Sequence, residues 1–254
     1  MKSWAGIKDY ISLKFDEIIS RKPKFKVVPI KKTRIGTSYG GWAIPSDFIN
    51  GNSICYSAGA GDDISFDIGL ANEYGCKILI LDPTPKAFAH FELAKKAAGE
   101  GQTNFGIYDN LNKDVFNKLE FVKEGLFNND TKIKLFFPEN ERNVSLSLWA
   151  DARTEAYVNA TVRSLPSIMK ERGHKSIDLL KIDIEGAEFP VLQDIIDNNI
   201  DIKIICIELH KQKTGFDPNI QQTINNLAKA GFCVIDNKNM DFTFVKASSF
   251  GLEI

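Results

Sequence analysis

Apolar runs of strand length alternate with stretches of helical period along most of the chain. Ser53-Ile54-Cys55-Tyr56-Ser57 is a strand-like run; Ile64, Ile68 and Ala71 then fall on one helical stripe that ends near Gly75. Lys77-Ile78-Leu79-Ile80-Leu81 is a second run, stopped by Pro83 and Pro85, and residues 87–98, rich in Ala, Lys, Glu and Leu, predict a second helix. Later, Ser164 as cap and Pro166 in the first turn predict a helix that Gly173 ends. A buried strand over 177–182, a helix over 187–196 and a strand over 202–207 follow, the two strands ending at Asp183 and Glu208.

The middle of the chain is less regular. Residues 103–108 and 132–137 read as short strands, 156–162 as another, and 109–130 as an insertion; 140–148 is a polar stretch without a clear element. At the end, residues 220–230 predict a helix, and Phe232-Cys233-Val234-Ile235 and Phe242-Thr243-Phe244-Val245 predict a hairpin around the polar residues 236–241. Repeated strand-helix alternation implies an α/β fold, a mostly parallel central sheet with helices on both faces, here closed by a C-terminal antiparallel hairpin.

Hydrophobic content of 43% with 26% charged residues is that of an ordinary globular chain, and 254 residues suit one core with additions. A net charge of −1 gives no global field toward nucleic acid or an anionic membrane. The amphipathic start lacks the long apolar centre of a signal peptide or spanning helix, so a cytoplasmic location is expected. Cys55, Cys76, Cys206 and Cys233 contain no C-x-x-C pair, and reduced thiols are expected.

In open α/β sheets, ligands sit at the carboxyl ends of the strands. Those ends here collect Gly59, Gly61, Asp62, Asp63, Asp82, Asp183, Glu185, Glu188, Glu208 and His210. Glycines after a first strand admit close approach of a ligand, and an acid about 20 residues on, Asp82, suits ribose hydroxyls. After Gly59-Ala60-Gly61, however, Ile64 stands where a dinucleotide site carries a third glycine, which weakens NAD or FAD. S-adenosylmethionine has no phosphate to accommodate.

The segments Tyr56-Ser57-Ala58-Gly59-Ala60-Gly61-Asp62-Asp63 with Asp82-Pro83-Thr84-Pro85, and Lys181-Ile182-Asp183-Ile184-Glu185-Gly186-Ala187-Glu188, resemble the FkbM-type methyltransferases. With Ile207-Glu208-Leu209-His210 and Gly40-Gly41-Trp42, the likeness covers about residues 35 to 245. It implies a Rossmann-like methyltransferase fold and methyl transfer from S-adenosylmethionine to a hydroxyl of a sugar, nucleotide-sugar or glycan. The cofactor residues it implies are Ser57, Gly59, Gly61, Asp62, Asp82, Pro83, Tyr108 and Asp183, with Gly59 and Gly61 at the methionine end, Asp82 at the ribose and residues 105–108 toward the adenine. Glu185, Trp42 and Tyr39 are the expected acceptor contacts.

An activated methyl leaves the protein to align the acceptor and remove its proton. His210 is the expected base because its ordinary pKa is near neutrality, with Asp183 and Glu208 as further catalytic candidates if burial raises them. Trp42 packs a core equally well, and Glu188 suits the first turn of a helix by its charge. Asp62, Asp183, Glu185, Glu208 and His210 also have donors suited to magnesium, but the sequence does not show that they converge, and no metal ligand is assigned. Residues 1–34 read as a helical, basic extension, with Lys22, Lys24, Lys26, Lys31, Lys32 and Arg34 as a solvated face, and 35–254 as the methyltransferase domain. An NAD-dependent oxidoreductase or epimerase and a catalytically silent cofactor-binding module stay open as alternatives; neither a nucleic-acid partner nor a membrane span is expected.

Overall fold

The computed structural model describes residues 23–136, 156–210 and 218–252. A short antiparallel pair, β1 (Thr33–Ile35) and β2 (Trp42–Ile44), precedes β3 (Ile54–Ala58), α1 (Ser65–Tyr74), β4 (Lys77–Leu81) and α2 (Pro85–Gly99). Gly75 ends α1 in the left-handed region, and the Thr84 hydroxyl accepts the Ala87 N–H to start α2, with Pro85 in its first turn. Next come α3 (Lys113–Phe116), β5 (Leu119–Val122), β6 (Gly125–Phe127), β7 (Thr131–Phe136) and β8 (Tyr157–Ser164). The chain then forms α4 (Leu165–Arg172), β9 (Ile177–Ile182), α5 (Glu188–Asp197), β10 (Ile202–Glu208), α6 (Pro218–Lys229), β11 (Phe232–Lys238) and β12 (Asp241–Lys246).

Seven strands form the main sheet in the order β11-β12-β10-β9-β3-β4-β5. β5, β4, β3, β9 and β10 run parallel, while β12 is antiparallel to both β10 and β11. A three-stranded sheet, β6-β8-β7, stands beside it. One face buries Cys55, Ile78, Ile80, Leu179 and Ile204 against α1, α2 and α3; the other buries Tyr56, Leu180, Ile182 and Ile205 against α4, α5 and α6. Burying such a side chain contributes about 1.5–3 kcal/mol, so a one-residue slip of any central strand is strongly resisted. The strand order and the terminal antiparallel pair are those of the Rossmann-like methyltransferase fold.

Three expectations need correction. Residues 109–130 are not an insertion: they hold α3, the edge strand β5 and β6. Residues 103–108 form no strand; Phe105 and Tyr108 exchange their backbone hydrogen bonds across a tight turn with Gly106 at φ 57°. Most of the polar stretch 236–241 is strand, with the turn confined to Asn239 and Met240 and a register shift between Val234 and Asp236.

The expected N-terminal helix, residues 1–22, and the polar stretch 140–148 lie outside the described residues. Residues 23–34 pack on the sheet edge: Val28 N–H donates to Val234 O at 2.8 Å, and the Lys32 ammonium meets Asp236 at 2.6 Å. That segment covers an otherwise exposed edge strand. Lys31 pairs with Asp47 at 3.1 Å, as on a solvated face. Among the described residues no helix is long and apolar enough to cross a membrane.

Candidate active site

The chain leaves β3 toward β4 and β5 on one side of the sheet and returns through β9 and β10 on the other, so the strand order reverses between β3 and β9. Their carboxyl ends meet closely: Asp183 N–H donates to Ala58 O at 2.9 Å, and Gly59 has φ 87°. A Cβ at Gly59 would overlap the Asp183 carbonyl oxygen, so only glycine fits. Gly61, at φ 53°, instead faces open space where a side chain would stand. The turn is cradle-shaped by backbone necessity.

Asp82, at the end of β4, braces this turn. Its Oδ2 accepts Ala60 N–H at 2.8 Å and Gly61 N–H at 3.1 Å, and its Oδ1 accepts Thr84 N–H at 2.8 Å and the Thr84 hydroxyl at 2.6 Å. Pro83 lies against β6, where a Cβ on Gly125 would come within 3.2 Å of its Cγ. Tyr108, buried, is a hub rather than an open platform: its hydroxyl accepts Ile64 N–H at 3.0 Å, meets His90 Nε2 at 2.6 Å and donates to Asp62 O at 3.3 Å. The side chain of Asp62 itself is exposed.

The loop joining β1 to β2 is clipped to the start of α1. The Thr37 hydroxyl donates to Asp63 Oδ2 at 2.6 Å, and Thr37 N–H to Ser65 Oγ at 2.8 Å. This brings Tyr39, 83% exposed, to the mouth of the cleft. Partial desolvation of its phenol, then the charges of Asp183, Asp62, Glu208 and Glu185, hold it above the usual range. Trp42 goes elsewhere: it is buried in the apolar core with Ile35 and Ile44, the packing role, and offers no ring to the cleft.

The second signature builds an acid and imidazole cluster. Glu185 at φ 51° and Gly186 at φ 106° turn the chain sharply before α5. Glu188, fully buried, accepts Gly186 N–H at 3.0 Å and Ile184 N–H at 3.2 Å, and meets His210 Nδ1 at 2.7 Å. His210 Nε2 lies 3.3 Å from Glu185 and 3.8 Å from Glu208. Burial alone would depress His210, but the Glu188 hydrogen bond and the charges of Glu188, Glu185 and Glu208 prevail and push it up to about 10. The expectation of a His210 base rested on an ordinary pKa, and the folded chain removes that ground.

Glu208 is raised as well, but by other causes. Burial, then the Asp183 charge, raise it to about 7 against the opposing pull of His210. Asp241, across from Glu208 on β12, is also raised, by burial and then Asp183. Asp183, Glu185 and His210 do converge, each offering a ligand atom within 4.8 Å of the others, a donor set that a hard divalent ion accepts.

Beneath the cleft runs a polar row that the sequence signature did not single out. Cross-strand register aligns Ser57, Lys181, Cys206 and Thr243 on one face, one layer below the strand ends. Ser57 is therefore buried and does not reach the cleft. Lys181 donates to the Gly59 carbonyl and lies 3.8 Å from Asp183 Oδ2. Asp67 of α1 is fully buried above this row; burial raises its carboxyl, and Lys181 and Ser57 oppose that, although among the described residues no partner in full hydrogen-bond geometry reaches either oxygen. The available signal was a lysine at an inward position of an otherwise apolar strand.

The sequence profile of the methyltransferase FkbM domain matches residues 57–234. Two curated relatives are the probable methyltransferase-like protein 24 of Homo sapiens, 38% identical over 61 residues, and that of Rattus norvegicus, 39% identical over 70 residues. These matches take in 23% and 27% of this chain and span only 17% and 19% of those relatives. Among solved structures, the methyltransferase FkbM of Methylobacillus flagellatus superposes with a TM-score of 0.45 at 13% identity, over 76% of this chain and 43% of that one. The profile match takes in most of the chain, from the end of β3 into β11, including the glycine turn, both acidic strand ends and the buried Glu188, and on that ground the chain belongs to the FkbM methyltransferase family.

Proposed function

We propose that this chain transfers a methyl group from S-adenosylmethionine to a hydroxyl of a sugar, nucleotide-sugar or glycan. The observation that carries it is Glu208: a carboxylate raised to about 7 beside Asp183, at the carboxyl edge of the sheet where the glycine cradle opens. The cradle and donor set suit this cofactor. Gly61 leaves room for its amino-acid end, and the acids of the mouth favour its positive charges. A ribose hydroxyl would take the place of the Thr84 hydroxyl on Asp82, the one of its four donors that rotates freely.

The bound cofactor supplies a methyl on a cationic sulfur. The protein's part is alignment and proton removal. Glu208 takes the acceptor proton, since both nitrogens of His210 are engaged by Glu188 and Glu185. Asp183 and Glu185 orient the acceptor hydroxyls, and the exposed Tyr39 ring offers a sugar its apolar face. With His210 already paired to Glu185 and Glu188, and Asp183 to Lys181, no metal is invoked.

Two features oppose the alternatives. A pyrophosphate needs free N–H groups at the start of α1, but Ile64 N–H is taken by Tyr108 and Ser65 N–H by Asp63. Asp62, Asp183, Glu185, Glu208 and Asp241 form a negative field that repels a nucleic-acid backbone.

Calorimetric titration with S-adenosylhomocysteine and with NAD, then a mass-spectrometric screen of sugar acceptors, tests the reading. Binding of the first alone, with a +14 Da product, supports it; binding of NAD alone sinks it, and cofactor binding without product from any acceptor favours the silent module. With an acceptor in hand, kcat/KM should rise through an apparent pKa near 7, and Glu208→Gln should remove that limb.

A further inference from the structure

We infer that Lys181 is a positioning residue for the cofactor cradle, acting through the Gly59 carbonyl and Asp183 from inside the sheet. The inference rests on the cofactor reading above. Lys181 sits on β9 opposite Ser57 of β3, one row below the cleft, and is buried. Its ammonium donates to the Gly59 carbonyl and lies 3.8 Å from Asp183 Oδ2, so a single cation touches both walls of the cradle.

A buried ammonium is costly unless paired, and an apolar residue would pack this strand more cheaply. Its neighbours show what the charge is used for. Gly59 occupies the left-handed region at φ 87°, and the peptide planes on either side of its Cα are each pinned: its N–H donates to Leu81 O at 2.9 Å and its C=O accepts from Lys181. The N–H bond comes from β4, which would form with any residue at 181; the C=O bond depends on Lys181 alone among the described residues. Asp67, fully buried on α1 above the row, lies within electrostatic reach of the ammonium, and Asp183 pairs with it from the cleft. The lysine thus ties the glycine turn to the acidic wall beneath α1. It does not touch the cleft's contents.

Two roles must be separated: neutralising Asp67 and shaping the cradle. Lys181→Met keeps the length of the side chain and removes the ammonium, leaving Asp67 uncompensated. Lys181→Met with Asp67→Asn removes both charges. We expect Lys181→Met to lower the melting temperature and weaken S-adenosylhomocysteine binding, read by calorimetry, by tenfold or more. The double variant should recover most of the melting temperature while its affinity stays at least tenfold below wild type.

Wild-type affinity in the double variant would overturn the inference, since charge balance with Asp67 would then be the whole role of Lys181. So would wild-type affinity in a folded Lys181→Met. Absence of binding by the wild-type chain would remove the cofactor reading and this inference with it, an outcome distinct from either. Should Lys181→Met fail to fold, the double variant alone still decides.

Discussion

His210 Nδ1 lies 2.7 Å from Oε1 of Glu188, a carboxylate with no exposed surface whose other partners are the N–H groups of Ile184 and Gly186. The pair ties the end of β10 to the turn that launches α5. The Glu188 hydrogen bond and the nearby acids outweigh burial and hold the imidazole charged.

This pairing predicts a pH-dependent stability. His210 has a folded pKa raised to about 10, against about 6.5 in the unfolded chain. Below the lower value both states hold the proton and the stabilisation is complete; between the two only the folded state holds it, so stability falls as pH rises, by up to about 1.4 kcal/mol per pH unit, and the contribution is gone above the upper value. Denaturant melts of wild type and His210→Asn at pH 6.5, 8 and 9.5 should converge as pH rises. Parallel curves would show that His210 is not charged in the fold.

Tyr108 makes a second prediction, because its hydroxyl joins two backbone groups of the 62–64 turn to His90 of α2 while its ring is buried. Tyr108→Phe keeps the ring and strands the Ile64 N–H, at a cost of about 1–3 kcal/mol. The melting temperature should fall by several degrees, and S-adenosylhomocysteine affinity should fall with it, because the Asp62 to Ile64 turn loses its latch. Unchanged stability and affinity would reduce the hydroxyl to a bystander.

Much of the sheet is readable from residue order because its strands are buried on both faces and its helices have capped ends: Lys77–Leu81, Ile177–Ile182 and the Ser164 cap emerge as expected. β5 escapes notice because four residues, Leu-Glu-Phe-Val, carry too little pattern and sit at an edge, where one side needs no partner. The site divides the same way. Gly59, Asp82, Asp183 and Glu208 announce themselves by standing at strand ends, a property of one-dimensional order. The charge on His210 depends on three acids brought from two strand ends and a helix start, and the role of Lys181 on a glycine 122 residues away; neither is a property of any local segment. Trp42 errs in the other direction, since beside a glycine turn a core tryptophan and a platform tryptophan look alike.

Gly59 gives the sharpest test of the cradle. At φ 87° a non-glycine residue is strained by about 1–3 kcal/mol, and here a Cβ would also overlap the Asp183 carbonyl oxygen. Relief requires β3 and β9 to part at their carboxyl ends, which stretches the Asp183 N–H to Ala58 O bond and displaces Asp183 itself. Gly59→Ala should therefore lower the melting temperature by roughly 4–8 °C, the effect of about 2 kcal/mol in a chain of this size, and abolish measurable S-adenosylhomocysteine binding. Gly61→Ala is the matched control: its φ of 53° carries backbone strain, but its Cβ would meet no protein atom within 4 Å. It should destabilise less while still impairing binding, because the open space beside Gly61 is where the ligand's amino-acid end is proposed to lie. Equal melting temperatures for the two variants would show that the strand ends yield easily, and retained binding in Gly61→Ala would move the ligand away from that turn.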